Sequence, residues 1–170
     1  MTKLYMKQKV FSLRDRFTVK DESEQDRYYV EGEIFTLGKK LHICDMAGNE
    51  VAFVQQKLLT FLPRFFVFVD GVQVAEIVKE LTFLRPRYRI DGPGWRVGGD
   101  FMAHDYEILN SAGRSIVSVH KVWLSWGDSY ELDVARREDE VQALATVLAI
   151  DCVLDAASAG AAGGAGSSSN

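Results

Sequence analysis

The sequence has little of what small proteins use for covalent or metal stapling. It carries two cysteines, Cys44 and Cys152, and three histidines, His42, His104 and His120. Two distant thiols make no disulfide framework, so reduced cysteines in a cytoplasmic protein are expected. Neither C-x₂-C nor H-x₃-H spacing occurs, so no metal site is expected, and no motif calls for a cofactor. Long apolar runs are absent as well. The greasiest stretch, residues 141–154, is broken by Gln142, Thr146 and Asp151 and falls short of the roughly 20 residues that cross a bilayer. No transmembrane segment is therefore expected. The basic opening, residues 1–20, runs into no continuous apolar segment, which argues against a secretory signal. A formal net charge of -4 argues against a nucleic-acid-coating protein while permitting a local basic patch.

Catalytic signatures are equally scarce. Gly92-Pro93-Gly94-Trp95-Arg96-Val97-Gly98-Gly99 is glycine-rich but lacks the Lys-Ser/Thr ending of a phosphate-binding loop and the G-x-G-x-x-G fingerprint. It reads as two tight turns, the second at Gly98-Gly99, flanking a short strand. No G-x-S-x-G elbow is present. His42 and Cys44 stand two apart on an expected strand, which places both on one face. No third group orients the histidine, so a half-buried thiol accounts for the pair better than a nucleophile. His104-Asp105 reads as a turn contact.

What is present is a succession of short alternating segments punctuated by Gly, Asp and Asn, the pattern of antiparallel strands. Strands are expected over residues 28–34, 40–45, 51–57, 64–70, 72–80, 88–91, 95–98, 105–110, 115–121 and 130–135. Gly48 is followed by Val51, Val54 and Lys57, Gly71 by Val74, Ile77 and Lys79, and Gly113 by Ile116, Val119 and Lys121. Each is a glycine able to adopt positive φ ahead of an outgoing strand. Ile43, Ala47 and Gly48 match Ile108, Ala112 and Gly113 at one constant offset.

One segment, residues 138–156, is helical in pattern. It opens on Glu138, Asp139 and Glu140, which suit the positive end of a helix dipole. Beyond them Ala, Leu, Val and Ile surround the whole wheel, and a helix apolar on all sides must be enclosed. Too short for lipid, it must be enclosed by the sheet. The expected fold is therefore mainly β, a closed antiparallel barrel around a buried hydrophobic C-terminal helix, and closure removes the exposed edges of a long meander. Residues 1–155 form the domain. Residues 156–170, Ala-, Gly- and Ser-rich, read as a disordered tail.

Many segments carry a resemblance: Tyr5-Met6-Lys7-Gln8-Lys9, Asp15-Arg16-Phe17, Tyr29-Val30-Glu31-Gly32, Leu37-Gly38-Lys39-Lys40-Leu41, Gly48-Asn49-Glu50-Val51, Phe61-Leu62-Pro63, Trp123-Leu124-Ser125-Trp126-Gly127-Asp128 and Leu148-Ala149-Ile150-Asp151. In this order they resemble the LURP-one-related family of the tubby-like superfamily, relatives of the phospholipid scramblases. The resemblance spans residues 4–154 and implies about twelve strands threaded by the C-terminal helix. Tubby-like members recognise phosphoinositides and scramblases associate with membranes, but no phosphoinositide motif aligns residue by residue, so no site is carried over.

The residues themselves offer one charged ridge. Arg85, Arg87 and Arg89 alternate with apolar neighbours, so period-2 geometry puts three guanidinium groups on one outer face. Such forks suit phosphate, and Lys39 and Lys40 can extend the set. The plain alternative is a solvated face that discourages edge pairing. Trp123 is expected in the core, while Trp126 is a candidate aromatic rim residue at one barrel mouth. These features favour a non-catalytic binding module, cytoplasmic and peripheral at the membrane, for an anionic lipid headgroup, a phosphorylated ligand or an acidic partner. A protein-interaction domain without a small ligand is the alternative, and an enzyme is the weakest reading.

Overall fold

The computed structural model describes residues 1–7, 16–33, 36–80, 87–100, 103–124 and 127–162. The strands form one meander that closes on itself: β1 (Thr2–Lys7), β2 (Phe17–Lys20), β3 (Asp26–Gly32), β4 (Lys40–Asp45), β5 (Glu50–Gln56), β6 (Arg64–Val69), β7 (Val72–Glu80), β8 (Arg87–Asp91), β9 (Arg96–Asp100), β10 (Asp105–Leu109), β11 (Ser115–Leu124) and β12 (Gly127–Val134). Each pairs antiparallel with its chain neighbours, and β1 meets β12 from Thr2↔Val134 to Lys7↔Ser129 to shut the barrel. A single 3₁₀ turn, Arg137–Asp139, leads into α1 (Glu140–Ala162).

The ends of the barrel differ. At the turn end, tight hairpins join β2 to β3, β4 to β5, β6 to β7, β8 to β9 and β10 to β11, and α1 enters there. At the loop end, the longer connections gather and α1 emerges.

The glycine repeat has a structural basis. Gly48, Gly71 and Gly113 all take positive φ, at 91°, 74° and 77°, in hairpins at the turn end. The constant offset reflects one shared turn. The Asp45 Oδ1 accepts from the amides of Ala47 and Asn49, both at 2.9 Å, and the Asn110 Oδ1 accepts from those of Ala112 and Arg114, both at 3.0 Å. A third copy sits at Asp21, whose Oδ1 accepts from Ser23 and Gln25. In all three a register shift follows two residues ahead of the turn, at Val19, Ile43 and Ile108. An Asx-capped turn with an adjacent bulge twists each hairpin in the sense that barrel closure needs.

Inward side chains alternate along every strand and pack on α1, whose residues 143–153 are all buried. The helix is anchored at its start. Glu140, 1% exposed, accepts through Oε1 from the Tyr28 hydroxyl at 2.7 Å and from Arg27 Nε at 3.0 Å. Burial, reinforced by the Glu140 carboxylate, pushes the Tyr28 phenol up to about 12. By length and composition, residues 137–158 form a helix apolar enough to cross a membrane, longer than the sequence pattern suggested. The barrel encloses most of it, so its apolar surface is satisfied by protein.

Four expectations need correction. The strands β1 and β2 lie where none was read from pattern. The helix continues to Ala162 instead of stopping at Ala156, because alanine is the best helix former and prolongs the last turns; residues 163–170 lie outside the described residues. Gly98 and Gly99 are strand residues of β9, not a turn. A Cβ on Gly99, at φ 111°, would stand 2.7 Å from both Asp105 O and Tyr106 Cα, so the glycine is there for close approach of β10. Trp123, expected in the core, is 79% exposed. It continues the inward row of Val117 and Val119 on β11, but past the filled part of the barrel.

Candidate functional site

The arginine ridge is partly realised. Arg87 and Arg89 are exposed on the outer face of β8, while Tyr88 and Ile90 between them are buried; Arg85 lies outside the described residues. Arg89 is already matched by acid. Its Nε and Nη2 donate to the two Asp91 oxygens at 2.6 and 2.9 Å, and Glu80 stands 3.6 Å away. The hydrogen bond to Asp91 raises the Arg89 pKa. Lys40 is paired with Glu33 at 2.9 Å and Lys39 with Asp155 of α1. Lys40 opens β4 and Lys39 precedes it, four strands from β8 in the barrel order, so the lysines and the ridge form separate surfaces.

The His42–Cys44 pair is not a nucleophile and base. His42 Nδ1 contacts Glu50 Oε2 at 2.5 Å and Nε2 contacts Glu33 Oε1 at 2.9 Å. Burial opposes its protonation, yet hydrogen bonds with Glu50 and Glu33 outweigh it and raise the pKa above 6.5. Cys44 is buried, and burial pushes the Cys152 thiol up to about 12. Neither thiol has the exposed, electropositive surroundings of a reactive cysteine. Among the described residues no cluster of His, Cys, Asp and Glu is arranged to hold a metal. His104 does not pair with Asp105, which instead meets His120 at 2.8 Å.

What the sequence did not bring together is the loop end. Among the described residues, five large apolar side chains stand exposed there: Leu37 (85%), Leu58 (47%), Leu59 (107%), Phe61 (91%) and Trp123 (79%). They come from the β3–β4 connection, the β5–β6 connection and the end of β11, so spacing along the chain hides their common end. β11 lies six strands from β5 in the barrel order, so Trp123 stands across the mouth from Leu58, Leu59 and Phe61. Trp126, the expected rim residue, lies outside the described residues, as do residues 8–15, 81–86 and 101–102. Around the same mouth the inward rows of β4, β7 and β11 run on into Lys39, Lys79 and Lys121, in line with Leu41, Ile77 and Val119 respectively. The Gly-strand-Lys repeat was therefore a legible trace of this ring for Lys79 and Lys121. Lys57 opens the β5–β6 connection and lies over the Phe66 ring at 5.1 Å.

The β5–β6 connection is a held structure. Lys57 N donates to Arg64 O at 2.9 Å, Thr60 Oγ1 to Lys57 O at 3.3 Å, and Lys79 N to Pro63 O at 3.3 Å. Leu59 sits at φ 57°, a left-handed conformation that γ-branched residues seldom adopt. A cleft of about 450 Å³ lies between this connection and the Ala156–Ala157 turn of α1.

Deeper in the mouth is a buried polar contact. Asp151 of α1, 3% exposed, faces His104 with Oδ1 3.7 Å from Nδ1, too long for a hydrogen bond. His104 takes φ 52° and stacks on Tyr130 at 4.4 Å. Burial pushes the Asp151 carboxyl up to about 8, while burial and the nearby Lys121 charge lower the His104 pKa.

Comparison with known proteins agrees with this architecture. An X-ray structure of a protein from Arabidopsis thaliana superposes with a TM-score of 0.58 at 14% identity, covering 88% of this chain and 90% of that one. The likeness establishes a shared fold. An uncharacterised Bacillus subtilis (strain 168) protein, YxjI, is 39% identical over 155 residues, which is 91% of this chain and 94% of the relative. The LURP-one-related family model matches residues 2–151, and the chain belongs to that family.

Proposed function

We propose that this chain is a non-catalytic binding module that docks by its loop end onto an anionic membrane surface. The observation that carries the reading is the collection of Leu37, Leu58, Leu59, Phe61 and Trp123, all exposed, at one end of the barrel beside Lys39, Lys57, Lys79 and Lys121. Large exposed apolar side chains gathered at one end of a molecule mark a candidate interaction surface. The charge around them is mixed, with Lys39 paired to Asp155 and Lys57 3.6 Å from Glu76. Amphipathic aromatic and lysine side chains suit the boundary between headgroups and acyl chains. The non-catalytic part is supported by the engagement of His42 with two carboxylates and by an interior filled with α1.

The test is co-sedimentation with neutral phosphatidylcholine vesicles and with vesicles containing phosphatidylserine or phosphoinositide, at physiological salt. The chain is expected to bind the anionic vesicles. Leu59→Asp/Phe61→Asp should weaken binding by more than about tenfold, since each side chain forfeits much of the 1.5–3 kcal/mol that full burial provides. Arg87→Glu/Arg89→Glu should retain it. Loss in the arginine variant alone would move the site to the outer face of β8. Binding of no vesicle would overturn the membrane reading in favour of a protein partner at the same rim.

A further inference from the structure

We infer that the loop-end cleft between the β5–β6 connection and α1 is a binding site for a single-chain anionic amphiphile, an alkyl chain ending in a phosphate or carboxylate. The inference rests on the loop end being the binding surface, and it assigns the cleft a ligand of its own. The volume, about 450 Å³, lies within the ~300–1,000 Å³ of small-molecule sites.

Its walls are apolar. Leu58, Phe61, Leu62 and Pro63 line one side, and Ala156 and Ala157 face them. The alanines matter because a larger side chain on that helical turn would close the gap. The outer wall is propped from behind: a Cβ built on Gly38 would meet Leu58 Cδ2 at 2.7 Å, so the β3–β4 connection packs directly against Leu58. With the main-chain contacts of Lys57 and Lys79 described above, the cleft is preformed, and a ligand would pay little ordering entropy.

Charge selects the headgroup. Lys57 and Lys79 line the cleft, and no carboxylate does. Lys57 is shared with Glu76, 3.6 Å away. Lys79 makes no ion pair among the described residues. An anion there meets the two ammonium groups, while an alkyl chain replaces water on Phe61, Leu62 and the alanines. A free phosphate would use only the lysines, and a neutral amphiphile only the walls. The two features together call for both parts in one molecule.

Titration calorimetry with octyl and decyl phosphate below their micellar concentrations tests this, with inorganic phosphate and octyl glucoside as single-feature controls. Both alkyl phosphates are expected to bind, the decyl chain more tightly, by up to roughly fourfold per methylene buried. Lys79→Gln should weaken both at least fivefold. Ala157→Phe should abolish binding while leaving vesicle co-sedimentation intact, which separates the cleft from rim docking. Thermal melts of both variants check that they fold, and if Ala157→Phe does not, Ala157→Val takes its place. Equal binding of inorganic phosphate or of octyl glucoside, or undiminished binding by Ala157→Phe, would overturn the inference. Failure of vesicle binding with alkyl phosphate binding intact would sink the membrane reading and leave the cleft standing.

Discussion

At the residue scale, the three Asx-capped turns show how much one position can decide. Gly48 and Gly113 take the left-handed place in two of them, and Glu24 takes it in the third at φ 58°. The turns are otherwise equivalent, each closed by an amide three residues on donating to the Asx carbonyl, at 3.0, 3.1 and 2.9 Å. A side chain in this conformation costs about 1–2 kcal/mol, partly offset by the entropy glycine loses on folding. Glu24→Gly is therefore expected to stabilise the chain by about 0.5–1 kcal/mol, read as a melting temperature higher by about 2 °C. A lower melting temperature would mean that the Glu24 side chain does something its surroundings do not reveal. The turn glycines were legible because their chemistry is local. Trp123 was not, since its alternation is that of a core residue and only the position where the barrel stops being filled exposes it.

At the element scale, α1 was the most legible feature and β1 and β2 the least. An all-apolar wheel forces enclosure, and enclosure by strands forces a barrel, so the helix implied the architecture around it. β1, by contrast, interleaves Lys3, Tyr5 and Lys7 with Leu4 and Met6, and its charge density masks a strand whose inward residues are wholly buried. The helix also carries a pH dependence. An Asp with its folded pKa lifted from 3.8 to about 8 keeps its proton in the folded chain after the unfolded chain has lost it. His104, lowered from 6.5 by burial, does the opposite just below 6.5, so it offsets part of the Asp151 effect there. Above 6.5 the His104 difference is gone and that of Asp151 remains. Stability should fall as pH rises toward 8, by about 1.4 kcal/mol per unit or roughly 2 kcal/mol in all. His42, with its raised pKa, adds a slope of the same sign, so the comparison must be with Asp151→Asn. Urea unfolding of both chains at a series of pH values is expected to show a shallower decline in the variant. Parallel curves would mean that Asp151 is ionised beside a protonated His104.

At the scale of the whole molecule, the barrel is polar in the sense of having two unlike ends, and this no local pattern discloses. Leu37, Leu58, Leu59, Phe61 and Trp123 come from three separated segments, and they lie at one end only because an antiparallel meander returns every second connection to the same end. Trp123 stands across the mouth from the β5–β6 connection. In the proposed docking the loop end faces the membrane and the turn end faces water. The orientation can be read from tryptophan. Trp95 closes the β8–β9 hairpin at the turn end and is 9% exposed, whereas Trp123 stands at the loop end and is 79% exposed. Chains keeping one of these indoles, with the remaining two tryptophans changed to Phe, should differ sharply on anionic vesicles that contain brominated lipid. Trp123 fluorescence is expected to be quenched and Trp95 fluorescence unchanged, because the barrel holds the two at opposite ends. Quenching of Trp95 alone would invert the docking orientation. Equal quenching of both would mean that the barrel lies on its side or that α1 leaves it, and either outcome would remove the loop-end rim as the docking surface.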